Sequence, residues 1–145
     1  MELKKITQEE LDEVLKERWI LQCSRGKKGS YIQLKYEGMD LKGLDFSCSD
    51  LRSLPANEFK KFMPDWRVED CYHLQPADLS FTNFSNADLE GANFKKTKLL
   101  YTNFQGANLK NADFSHLMKS DFLYQTRIDE TTNLTDTKFY EFNKS

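Results

Sequence analysis

Ala87-Asp88-Leu89-Glu90-Gly91 and, twenty residues later, Ala107-Asn108-Leu109-Lys110-Asn111 are two copies of one five-residue unit. Extending outward from them, Leu or Phe recurs at every fifth position: Leu74, Leu79, Phe84, Leu89, Phe94, Leu99, Phe104, Leu109 and Phe114. Two residues before eight of these stands a small or modest side chain, at Ala77, Thr82, Ala87, Ala92, Thr97, Thr102, Ala107 and Ala112. Between the two lies Asp or Asn at 78, 83, 88, 93, 103, 108 and 113. A period of five fits neither the 3.6 of an amphipathic helix nor the 2 of a strand. It fits a chain that turns a corner every five residues, each side sending one large and one small side chain inward. The interposed Asp or Asn tolerates corner conformations and hydrogen-bonds nearby backbone.

The pattern resembles the pentapeptide-repeat family, unbroken over 72–116 and more loosely over 34–53 and 120–141. That resemblance implies an all-β solenoid, a right-handed quadrilateral β-helix with four repeats, or twenty residues, per coil. Phe84 then stacks on Phe104 and Phe94 on Phe114, while Leu79 stacks on Leu99 and Leu89 on Leu109. These side chains are read as core, each worth roughly 1.5–3 kcal/mol on burial.

At 145 residues the chain is read as a single domain, 1–145. Thr7-Gln8-Glu9-Glu10 is a capping box, and Ile6 with Leu11 supplies a hydrophobic staple. Leu11, Val14, Leu15 and Trp19 make a helical stripe, so a helix over about 8–22 is expected to close the first coil. This N-terminal cap, with its exit loop at Gly26 and Gly29, spans 1–28. Tyr36, Leu41, Phe46 and Leu51 are the centres of a first coil, 29–53. Residues 54–71, bounded by Pro55 and Pro64, read as a short helical or loop insertion. Regular coils occupy 72–116. After Phe114 the centres fall at Phe122, Ile128, Leu134 and Phe139, which reads as bulged corners in an irregular last coil and C-terminal cap over 117–145.

Composition narrows the function. Lys and Arg number 21 against 23 Asp and Glu, for a net charge of −2, unsuited to direct nucleic-acid binding. The mean hydropathy is −0.72, and neither a membrane span nor a leader-length apolar run is present. Three widely spaced cysteines, Cys23, Cys48 and Cys71, read as reduced thiols in a cytoplasmic protein. They show no metal-ligand spacing. His73 and His116 are the only histidines. No catalytic, cofactor or metal residues are assigned, and the chain is read as no enzyme.

The family resemblance also implies an alternative, an acidic rod that mimics DNA and binds DNA gyrase or a related topoisomerase. Over 72–145, however, nine acidic side chains face eight basic ones, too even a balance for a strong one-signed field. A rigid interaction or structural module is the main reading, with an unknown protein partner or self-association. Phe81 and Tyr101, twenty apart, are expected to stack outward on one face. If the extra residues 117–119 merely bulge, Tyr124 continues that column and Leu100 and Leu123 line up beside it. These five are either covered by the insertion or the N-terminal helix, or form a candidate interaction patch. Phe139, Tyr140 and Phe142 either fold over the last coil or form a candidate C-terminal association surface, and the resemblance implies the latter because family members often dimerise through that end.

Overall fold

The computed structural model describes residues 3–23, 34–50 and 74–141. Leu51, the 54–71 insertion, Cys71, His73, Gly26, Gly29 and Phe142 lie outside the described residues, as do the side chains of Trp19, Cys48 and Leu74. Among the described residues regular elements are few, and the strands are short. In chain order they are helix α1 (Gln8–Cys23) and strands β1 (Cys48–Asp50), β2 (Leu74–Pro76) and β3 (Asp113–Met118), then helix α2 (Lys119–Gln125) and strand β4 (Lys138–Tyr140). β1 pairs antiparallel with β2, and β3 pairs parallel with β4.

Most of the backbone is organised by single parallel bridges rather than long strands. Asp78 bridges Lys98, Asn83 bridges Asn103, Asp88 bridges Asn108 and Asn93 bridges Asp113. Each pair is twenty residues apart, so the chain passes over itself once every four repeats. The earlier stretch lies on the same stack, with Lys35, Asp40 and Asp45 bridging Asn83, Asp88 and Asn93.

Each corner is a hydrogen-bonded turn closed onto the Leu or Phe carbonyl. Thr82 N–H donates to Leu79 O at 3.1 Å, Ala87 to Phe84 at 3.0 Å and Ala107 to Phe104 at 3.0 Å. The third residue of each turn has positive φ: Phe81 (65°), Asn86 (59°), Gly91 (72°), Lys96 (64°), Tyr101 (58°), Gly106 (73°) and Asn111 (61°). One left-handed residue at that place is the mark of a type II turn. Ahead of each turn, the side-chain Oδ1 of the Asp or Asn accepts from the amide two residues on. Ser85, Lys95, Gln105 and Ser115 donate to Asn83, Asn93, Asn103 and Asp113, each at 2.9 Å. Lys98 breaks the series. The Leu100 amide it would have served donates instead to Ser80 Oγ of the pass below, at 3.1 Å.

The interior holds two phenylalanine columns set edge to face. Phe84 and Phe104 stack at 5.3 Å with planes 3° apart, and Phe94 and Phe114 at 4.7 Å and 4°. Between columns the rings meet at 83° for Phe84–Phe94 and 82° for Phe104–Phe114, the arrangement aromatic quadrupoles favour. Tyr36 extends one column below Phe84 and Phe46 the other below Phe94. Leu41, Leu79, Leu89, Leu99 and Leu109 are equally buried on the remaining sides.

At the lower end α1 covers the first pass. Its capping box is formed: Glu10 N–H donates to Thr7 Oγ1 at 3.0 Å and Thr7 N–H to Glu10 Oε1 at 3.4 Å. Leu11 and Leu15 are buried against the core. Side chains of α1 also stand in for a missing strand. The Gln8 amide donates to Asp45 O at 2.8 Å and accepts from Asp45 N–H at 2.7 Å. Arg18, also buried, donates to the carbonyls of Asp78 and, at 2.7 Å, Ser80.

Two expectations need correction. Leu74 does not open the regular series, because β2 spends its pairing on the antiparallel partner β1, and the bridges between residues twenty apart begin at Asp78. The residues after Met118 do not bulge but wind into α2. A helix advances about 1.5 Å per residue against about 3.3 Å for a strand, so it absorbs the surplus over one side of the stack. Bridges across the last pass accordingly span more than twenty residues, as in Asn103–Arg127 and Asn108–Asn133. Phe122 of α2 is fully buried over Phe104 and Phe114, at 5.8 and 4.7 Å. No helix among the described residues is long and apolar enough to cross a membrane.

Candidate functional site

The type II corners decide which side chains face outward. A residue at the left-handed position projects away from the interior, and Phe81 and Tyr101 occupy it on successive passes of one corner. Their rings lie 5.5 Å apart with planes 31° from parallel, and Phe81 is 48% and Tyr101 59% exposed. Backbone bonds hold the corner in register: Phe81 N–H donates to Leu100 O at 2.9 Å and Tyr101 N–H to Gln125 O at 2.7 Å. A left-handed conformation costs an L-residue other than Gly, Asn or Asp roughly 1–2 kcal/mol. Aromatic side chains therefore occupy two positions for which the backbone alone would select Gly or Asn.

Beside the rings is a cleft of about 330 Å³ lined by Phe81, Thr82, Asn83, Tyr101, Asn103 and Arg127. Arg127 sits on the last pass, bridged to Asn103. It was not singled out from the sequence, where it falls inside an irregular repeat. Leu100 is 48% exposed. Leu123 and Tyr124 are exposed as well, but they ride on α2, and the expected three-ring column stops at Tyr101. Because the chain turns helical at Lys119, Tyr124 leaves the corner position that a bulge would have kept.

At the C-terminal end, Phe139 turns inward. It continues a phenylalanine column at 5.9 Å from Phe114 and lies 5.1 Å from Phe122. Tyr140 faces outward and helps line a hollow of about 460 Å³ beside β4 with Asp136, Lys138 and Glu141.

The charged columns are locally balanced. Asp40 and Asp88, bridged on adjacent passes, share Lys42 at 3.9 and 3.5 Å, and Asn108 Nδ2 donates to Asp88 at 3.2 Å. Lys95 lies 3.6 Å from Asp113. Partial burial pushes the Asp113 carboxyl up, but hydrogen bonds from Ser115 and the Lys95 charge outweigh it and hold the group below the usual carboxylate range. His116 Nε2–H donates to Thr97 O at 2.9 Å. Among the described residues no three His, Cys, Asp or Glu side chains gather in a group able to hold a metal ion.

Arg18 and Gln8 are the functional side chains of the cap that sequence reading missed. Arg18 follows Leu11, Val14 and Leu15 on the buried stripe, and a polar residue at that spacing is the signal that a guanidinium is needed inside.

This repeating geometry agrees with comparison to known families. Residues 77–115 match the pentapeptide-repeat family model in eight copies. Comparison with curated proteins gives no match.

Proposed function

We propose that the chain is a right-handed quadrilateral β-helix serving as a rigid, non-enzymatic protein-interaction module, with the Phe81–Tyr101 corner as its contact surface. The twenty-residue bridge spacing and the type II turn every fifth residue support the four-sided winding. The single observation that carries the functional reading is the exposed aromatic pair in left-handed backbone. Strain of this kind persists where the surroundings impose it, and it concentrates at binding and catalytic sites. Leu100 beside the rings, with Leu123 and Tyr124 on α2, enlarges the apolar area on offer. The unpaired number of cysteines and their wide spacing favour a reducing, cytoplasmic setting. Gyrase mimicry fits less well, because Lys42 and Lys95 neutralise carboxylates that a polyanion surface would leave uncovered.

The reading is tested with Tyr101→Glu. Wild-type protein and variant are compared by affinity capture and by size-exclusion light scattering. Loss of a captured protein, or of self-association, on substitution is the expected result. Identical capture and identical mass would remove the reading.

A further inference from the structure

We propose that the cleft between Phe81, Tyr101 and Arg127 receives an acidic, extended segment of a partner protein. A carboxylate meets Arg127 while a neighbouring apolar side chain lies on the two rings. The inference rests on the interaction reading above and specifies its ligand.

The chemistry of the rim selects the charge. Asn83 and Asn103 each commit one Oδ1 lone pair to the amides of Ser85 and Gln105, and their Nδ2–H groups are donors. Arg127 is a donor throughout. Its side chain is exposed, and among the described residues no carboxylate is paired with it. No acidic side chain lines the cleft. Arg127 is therefore the one charged group in the lining, and a matching ligand brings an acceptor of opposite charge to it. A carboxylate is the acceptor whose geometry suits a guanidinium fork.

The shape selects an extended segment. The lining comes from three successive passes, at 81–83, at 101 and 103, and at 127. At the usual strand spacing that is roughly 10 Å from first to last, the reach of about three extended residues. The rings lie along this line and supply the apolar floor. Alternation of an acid with an apolar residue places one kind of side chain on the arginine and the other on the rings.

The experiment is fluorescence anisotropy with a labelled hexapeptide alternating aspartate and phenylalanine, with a counterpart carrying lysine for aspartate. Phenylacetate serves as a small-molecule competitor. The aspartate peptide is expected to bind wild type at least about tenfold more tightly than the lysine peptide, a preference that Arg127→Gln abolishes. Tyr101→Gly and Tyr101→Asn both suit the left-handed backbone. Each should weaken the aspartate peptide by about tenfold or more while melting no lower than wild type. Equal binding of the two peptides overturns the proposal, as does full binding by either tyrosine variant. Competition by phenylacetate at concentrations equal to the peptide's would assign the cleft to a free carboxylate and overturn it too. If the aspartate peptide fails while Tyr101→Glu still abolishes capture, the ligand chemistry falls and the interaction reading stands.

Discussion

Gly106 shows how a single corner is held. Its φ is +73°, and a β-carbon there would come within 2.1 Å of Asn86 Oδ1 on the pass below. Gly91 has nearly the same backbone, at +72°, but open space around it. The pair separates backbone strain from crowding. Gly91→Ala is expected to cost about 1 kcal/mol from conformation alone. Gly106→Ala should cost more, by about 1 kcal/mol, because Asn86 must also swing aside. Urea unfolding of both variants measures the difference, and equal losses would mean that Asn86 yields freely. The Lys98 exception belongs to the same scale. Where the side-chain acceptor of the repeat is missing, Ser80 of the neighbouring pass supplies one, because a poorly solvated amide left without a partner is costly.

The elements at the two ends solve one problem in different ways. A stack of passes ends in backbone groups with no next pass to bond, and open edges of that sort invite association. Below, α1 answers with side chains: the Gln8 amide imitates a strand opposite Asp45, and Arg18 covers the carbonyls of Asp78 and Ser80. Above, α2 inserts Phe122 into the interior. Arg18→Met keeps most of the buried stem and removes the donors. It is expected to destabilise by about 2–3 kcal/mol and to raise aggregation on heating. Urea unfolding and light scattering through the melt check both effects. Unaltered stability would show that the carbonyls find water instead.

At the scale of the whole molecule the aromatic columns tie successive passes together, and among the described residues Tyr36 is the one phenol within them. Burial raises its pKa to about 12, although the nearby Arg18 charge pulls the other way. The unfolded chain ionises near pH 10, where the folded phenol is still protonated. The contribution of Tyr36 is therefore complete below about pH 10 and is lost as pH rises through 12. Tyr36→Phe is expected to remove this component, worth roughly 2–3 kcal/mol over two pH units. Stability measured from pH 9 to 12 should fall less steeply for the variant. Parallel curves would show that the buried hydroxyl ionises as easily in the folded protein.

Local chemistry by itself determined the repeat. Leu or Phe at every fifth place, a small residue two before it and Asp or Asn between them specify a corner and an inward-facing side chain, because each of these depends on neighbours at most a few bonds away; the twenty-residue return was implied by the family resemblance, and the bridges between passes show it. The Thr7–Glu10 capping box was legible for the same reason. Tertiary structure alone decided that α2 replaces a bulge and that Leu74 joins an antiparallel pair. Each of those outcomes depends on which surface remains uncovered once the passes have stacked. The cleft was half visible: the twenty-residue interval aligned Phe81 with Tyr101. Arg127 joins them because the last pass is lengthened by a helix, and no periodicity could anticipate where that detour would return the chain.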